Sequence, residues 1–186
     1  MKGSLSAAAF SRHMDVVALS MQRLIPDVEK AGRLIQTTLK KGKKLLICGN
    51  GGSAADSQHF AAELTGRYKK NRRAYPAIAL TTDTSALTAI GNDYGFEYIF
   101  SRQVEALGAR GDILVAFSTS GKSKNILKAI AAAKKRGLRI ITLTGKKGAS
   151  LKRVSDVCIV VPTDETARIQ EVHQILYHAW CEALDI

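Results

Sequence analysis

The chain has few cysteines, few aromatic residues and few acids, and it has no long apolar run. Its three cysteines, Cys48, Cys158 and Cys181, are odd in number and scattered. They exclude a disulfide framework and read as small core or helix residues in a reducing compartment. No apolar stretch reaches the roughly 20 residues that a membrane-spanning helix requires. The opening residues, MKGSLSAAAFSRHMD, are broken early by Arg12, His13 and Asp15, so no secretory signal is expected. No Asn-X-Ser/Thr acceptor is present. These absences point to a cytoplasmic chain with no membrane partner. Aromatic residues make up 6% of the sequence, a poor supply of stacking platforms for bases.

Acids are the other deficit. Sixteen Asp and Glu stand against 28 Lys and Arg, leaving a net charge of +12. The shortage is local. Arg67 to Arg73, RYKKNRR, holds five basic residues in seven, and Ile113 to Ser155 holds eleven Lys and Arg with no acid. Such charge fits solvated faces and loops of a protein whose ligands are anions. A nucleic-acid surface is the alternative, but no RNP motif, zinc-finger spacing or repeat accompanies the charge, so nucleic acid is not an expected partner.

What is present suits one α/β domain over residues 1–186, with a helical segment at 1–41 and an α/β core at 42–186. Residues from about Leu5 to Lys41 carry two apolar sets. One is Val16, Leu19, Met21, Leu24 and Ile25; the other is Val28, Ala31, Leu34, Ile35 and Leu39. Pro26 is expected in the first turn of a second helix, or as the break between two, giving a helical hairpin. One small sheet cannot bury every apolar face of that segment, so part of it is expected to pack on a second subunit.

Five strands follow, alternating with helices. They are expected at Leu45–Cys48, Pro76–Thr81, Ile113–Phe117, Arg139–Thr144 and Asp156–Val161. Helices are expected after the first turn, at Ala86–Ile90, Phe96–Gly108 and Lys124–Arg136, with Gly137 as a C-cap, and from Thr163 or Asp164 to about Leu184. Within Phe96–Gly108, Ile99, Val104 and Leu107 should face inward. The final helix should bury Ile169, Val172, Leu176, Ala179 and Ala183. The pattern implies a three-layer α/β/α architecture with a five-stranded parallel sheet, flavodoxin-like in style. Ligands in such sheets sit at the carboxyl ends of the strands. The loops carrying Asn50–Ser53, Asn92–Asp93 and Ser118–Ser123 are expected to converge there.

Two of those loops suit an anion. Gly49-Asn50-Gly51-Gly52-Ser53 joins a buried strand to a helix, and Ser118-Thr119-Ser120-Gly121-Lys122-Ser123 does the same. Glycines allow close backbone approach, and the hydroxyls and free N–H groups at a helix start form a phosphate nest. The second loop is not a Walker A sequence; its plain reading is a serine-rich turn with Ser123 as N-cap. His59 and Glu63, four residues apart, share one helical face. They read as a metal site, an acid–base pair, both, or a coincidence of spacing. The final helix adds Gln170, His173, Gln174 and His178, with 170, 174 and 178 on one stripe. His13 and His173 read as ordinary surface or interface residues.

Four segments carry a resemblance: GNGGSAADSQHFAAELTGR, TTDTSALTAIGNDYGFE, STSGKSKN and ARIQEVHQILYH. Together they resemble the phosphoheptose isomerase branch of the sugar isomerase domain superfamily, over Gly42 to about Ala183. The resemblance implies aldose–ketose isomerisation through an enediol. Sedoheptulose 7-phosphate would become D-glycero-D-manno-heptose 7-phosphate, a precursor for lipopolysaccharide or other surface polysaccharide. It implies catalytic roles for Glu63 and His178, and one zinc ion per subunit on His59, Glu63, Gln170 and His178. It implies substrate contacts at Asn50, Gly51, Gly52, Ser53, Glu63, Asn92, Asp93, Ser118, Thr119, Ser120, Ser123 and Gln170. Ser118–Ser123 would hold the phosphate, and Asn50–Gly52 would shape the pocket around the sugar. It further implies a homotetramer with active sites near subunit interfaces. Two alternatives share the fold. One is a non-catalytic regulator that binds the replication initiator and lacks the acid–base pair retained here. The other is an isomerase or hydrolyase for another sugar phosphate.

Overall fold

The structure, a computed structural model, describes residues 4–185; residues 1–3 and 186 of the expected domain lie outside that range. It opens with one helix, α1 (Leu5–Lys40), and continues through β1 (Leu45–Cys48), α2 (Gly52–Thr65), β2 (Ala77–Ala79) and α3 (Thr84–Asp93). A 3₁₀ turn (Phe96–Tyr98), α4 (Ser101–Leu107), β3 (Ile113–Ser118), α5 (Lys124–Arg136) and β4 (Arg139–Gly145) follow. A second 3₁₀ segment (Lys146–Arg153), β5 (Val157–Val161) and α6 (Thr166–Leu184) are the last elements among the described residues. The five strands are all parallel, in the order β2-β1-β3-β4-β5.

The central strands are apolar on both faces because helices cover both, as parallel sheets require. Alternate residues divide between two cores. Leu45, Ile47, Ile113, Val115, Phe117, Ile141 and Leu143 point to the face covered by α1, α2 and α6. Leu46, Cys48, Leu114, Ala116 and Ile140 point to the face covered by α4 and α5. The chain leaves β1 for α2 on one face and leaves β3 for α5 on the other. The strand order reverses between these two neighbours, which opens a crevice at their carboxyl ends.

Several expectations are corrected. No hairpin forms at the start: Pro26 lies inside one continuous 36-residue helix. Buried Leu24, Val28, Ala31 and Ile35 run past it on one stripe. Burial on that stripe outweighs the lost Pro26 N–H bond and ring clash, about 3 kcal/mol. Asn92 and Asp93 are not in a loop but in the last turn of α3, which extends until Gly95 at φ +100°. The helix expected at Phe96–Gly108 is split by the residues around Ile99, and Leu107 is exposed while Ile99 and Val104 are buried. On α6 the buried face is rotated. Ala179 and Ala183 face outward, and Tyr177, Trp180, Cys181 and His173 are buried. His173 is therefore a core residue, not a surface or interface one. The strand expected at Pro76–Thr81 is only Ala77–Ala79, and α6 begins at Thr166. The three cysteines are free and buried.

Candidate active site and metal centre

The turn after β1 is tight. Gly51 caps α2 at φ +57°, a backbone state that favours glycine. The N–H groups of Ser53 and Ala54 bond back to the carbonyls of Asn50 and Gly51. Asn50 is held sideways by Asn125 on the first turn of α5. The two amides exchange hydrogen bonds, and both residues line a pocket with Phe96, Glu97, Ser123 and Lys124. That pocket lies on the switch-point crevice. Phe96 and Glu97 line it in place of Asn92 and Asp93, which are exposed at the end of α3 and bond each other at 2.8 Å.

The Ser118–Ser123 loop is ordered from within. The Ser118 hydroxyl and carbonyl both accept from the Gly121 N–H, and the Ser120 hydroxyl accepts from the Lys122 N–H. Thr144 on β4 donates to the Ser118 carbonyl at 2.6 Å. Ser123 stands at the N-cap of α5, yet its hydroxyl makes no capping bond. The plain N-cap reading is thus not what its side chain does, and a free hydroxyl stands where the helix end is most positive.

The α2 and α6 helices run side by side in parallel, with partners 118 residues apart. His59 meets Tyr177 at that separation, 3.0 Å between Nδ1 and the hydroxyl. Gly52 meets Gln170 at the same offset, and a Cβ at Gly52 would fall 2.6 Å from the Gln170 Nε2. His59 Nε2 is 3.0 Å from Glu63 Oε1. His178 joins them: one ligand atom each from His59, Glu63 and His178 lie within 4.8 Å of one another. Gln170 sits two turns earlier on α6, about 12 Å along the axis from His178, with its amide at the start of α2.

The surroundings fix this cluster. The His178 ring stacks on Tyr68, centroids 5.4 Å apart at 27°, and meets the His59 ring edge-on at 5.0 Å. Its Nε2 is buried and has no hydrogen-bond partner. Burial first, and then the neighbouring charge of His59, lowers the His178 pKa, so its imidazole is neutral at pH 7. One turn before His59, Asp56 has a buried Oδ2 without a partner, and burial pushes its carboxyl up to about 6. Two imidazoles and a carboxylate, with an orphaned ring nitrogen among them, are a donor set suited to a divalent transition metal. The same groups can exchange protons with a bound substrate.

Residues 67–73 also bear on the site. Asp185 accepts from the Lys69 and Lys70 N–H groups and from Arg72 Nε, and Arg72 caps α2 through the carbonyls of Glu63 and Leu64. Part of the basic run therefore closes the helix that carries Glu63. Sequence reasoning missed Tyr177, Asn125 and Tyr68. Tyr177 lies next to His178 in the chain, and Asn125 is a polar residue in the first turn after a Gly/Ser loop. Nothing local in the sequence marks Tyr68 as a stacking partner.

The SIS domain profile matches residues 9–145. A phosphoheptose isomerase of Campylobacter concisus is 57% identical over 176 residues, 95% of this chain and 89% of that protein. Among solved structures, a phosphoheptose isomerase from Neisseria gonorrhoeae superimposes with a TM-score of 0.92 at 48% identity, covering 97% of this chain and 96% of the other. One from Francisella tularensis gives 0.93 at 38% identity, covering 96% and 95%.

Proposed function

Since the chain belongs to the SIS domain family, and within it to the phosphoheptose isomerases, we propose that it interconverts sedoheptulose 7-phosphate and D-glycero-D-manno-heptose 7-phosphate. The product would feed heptose precursors for lipopolysaccharide or other surface polysaccharide. The observation that carries this to particular residues is the convergence of His59, Glu63 and His178 on the α2–α6 seam.

The Glu63 carboxylate takes the proton from the carbon beside the carbonyl and returns it to the neighbouring carbon. His178, neutral at working pH, carries the proton between the two oxygens of the enediol. Ser118, Thr119, Ser120 and Ser123, with the start of α5, hold the phosphate. Asn50, fixed by Asn125, Gly51, Gly52, Ser53 and Gln170 line the sugar. The donors of His59, Glu63 and His178 fit zinc, which when bound would polarise the substrate carbonyl and offset charge on its oxygens; Gln170, placed against Gly52 at the start of α2, stands apart from those three donors.

A cytoplasmic homotetramer is part of this reading. Leu5, Phe10, Met14, Met21 and Ile25 on α1 and Ile175 on α6 are exposed apolar residues that support burial against further copies. Asn92 and Asp93, exposed at the end of α3, are part of this reading as substrate contacts. Light scattering on the purified protein checks the mass.

The activity is tested by incubation with sedoheptulose 7-phosphate, with and without zinc, and detection of the aldoheptose phosphate. Wild type should turn over, and Glu63→Gln and His178→Ala should each lose activity by 100-fold or more, about 3 kcal/mol, while staying folded. No turnover by the wild type under either condition would overturn the proposal.

A further inference from the structure

Tyr177 has no role in the chemistry above, yet it is fully buried and rigidly held at the metal centre. Its ring stacks on Phe60, centroids 5.4 Å apart at 24°, and stands edge-on to Phe117 at 6.3 Å. Its hydroxyl is 3.0 Å from Nδ1 of His59, whose other nitrogen, Nε2, is 3.0 Å from Glu63. In a neutral imidazole one nitrogen donates and the other accepts. The Glu63 carboxylate only accepts, so in the neutral ring the proton sits on Nε2, and the Tyr177 hydroxyl donates to Nδ1.

A cation on Nε2 needs the lone pair there. The single ring proton must then reside on Nδ1, and the atom facing Nδ1 must accept. A hydroxyl both donates and accepts without moving its oxygen; a carboxylate or an ammonium in its place does only one. Once the oxygen accepts, its own proton needs a new acceptor. Asp56, one turn before His59 on α2, has a buried Oδ2 without a partner.

We propose that Tyr177 is a positioning residue for His59: its hydroxyl reverses direction on metal binding, fixes the ring proton on Nδ1 and presents Nε2 to the cation. In the neutral ring this moves the single proton from Nε2 to Nδ1. Partners that set the tautomer of a ligating histidine are worth about 10–100-fold in metal affinity. The proposal rests on the reading of His59 as a zinc ligand.

The test is zinc competition against a chromophoric chelator, using wild type, Tyr177→Phe and His59→Ala. Tyr177→Phe keeps the stacked ring and removes only the hydroxyl. It should bind zinc about tenfold or more weakly than wild type, with an unchanged circular dichroism spectrum. Equal affinity of wild type and Tyr177→Phe, with His59→Ala much weaker, would overturn the role of Tyr177 alone. Wild type binding no better than His59→Ala would overturn His59 as a ligand, and the inference with it. A second readout needs no variant. Long-range proton–nitrogen spectra of ¹⁵N-histidine wild-type protein should show His59 protonated on Nε2 without metal and on Nδ1 with zinc. The Nδ1 form in both states would overturn the reversal.

Discussion

Asn50 Nδ2 donates to Asn125 Oδ1 at 2.9 Å, and Asn125 Nδ2 donates to Asn50 Oδ1 at 2.8 Å. Asn125 Oδ1 also accepts from the Ile126 N–H at 2.9 Å. The loop after β1 and the first turn of α5 are thereby joined at the crevice. Asn125→Ala leaves the Asn50 amide unpaired, costing about 1–3 kcal/mol in denaturant unfolding. It should lower kcat/KM by about tenfold or more, because the loops around the sugar lose their common register. Unchanged kinetics would show that Asn50 needs no such support.

Gly52→Ala separates the site from the fold. Its Cβ would meet the far end of the Gln170 side chain, at 2.6 Å from Nε2, and the next two nearest atoms belong to the same amide. Gln170 can swing aside, so stability should change by less than about 1 kcal/mol, which for this chain length is about 2–4 °C in Tm. Turnover should fall at least tenfold as Gln170 leaves its place. A fully active variant would remove Gln170 from the site.

Arg72→Ala removes the cation paired with Asp185 and the donors that cap α2. The pair is largely buried, with side-chain exposures of 10% and 5%. Stranding one buried partner costs about 3–5 kcal/mol, measured as a lower midpoint in urea. Because Arg72 donates to the Glu63 carbonyl, activity should fall faster on warming than in wild type.

His173 sets an acid limit. Burial pushes its pKa from the usual 6.5 down to about 3. Below pH 6.5 the unfolded chain takes a proton there that the folded chain refuses. The stability contributed by the neutral ring is therefore complete above pH 6.5 and is lost as pH falls from 6.5 to 3. The slope is up to about 1.4 kcal/mol per pH unit. Urea unfolding at pH 7.5, 6.5, 5.5 and 4.5 should show it, and His173→Leu should flatten it. An equally steep fall in the variant would assign the loss elsewhere.

The sheet was legible because its signals are strong and local. Apolar runs such as Leu45–Cys48 and Ile113–Phe117, short and leading into Gly/Ser turns, suit strands buried on both faces. The order β2-β1-β3-β4-β5 is the flavodoxin-like one expected of the alternating pattern, although lateral neighbours follow from tertiary packing and leave no period of their own in the chain. Pro26 and the Gly91-Asn92-Asp93 run misled for one reason. Both carry residues that break isolated helices, and in both the helix continues because the rest of the element outweighs the local cost. His59 and Glu63 were legible as a pair from their spacing. Their approach to His178 depends on two helices packing in one register, which no single segment encodes. Tyr177 escaped notice because a buried tyrosine on a helix looks like any core residue until its hydroxyl's neighbour is known.

The unbroken α1 has a mechanical consequence. Residues 5–25, before Pro26, form an arm about 31 Å long. Pro26 leaves the Gln22 carbonyl without its helical donor, which makes that point the natural pivot. A tilt of about 5° there carries Leu5 through nearly 3 Å, on the 1.5 Å rise per residue. The arm is fastened to the first turns of α6, where His13 meets Glu171 at 2.7 Å and Arg168 donates to the Ala9 carbonyl at 2.6 Å. Whatever grips the arm thus has leverage on the helix that bears Gln170, Tyr177 and His178.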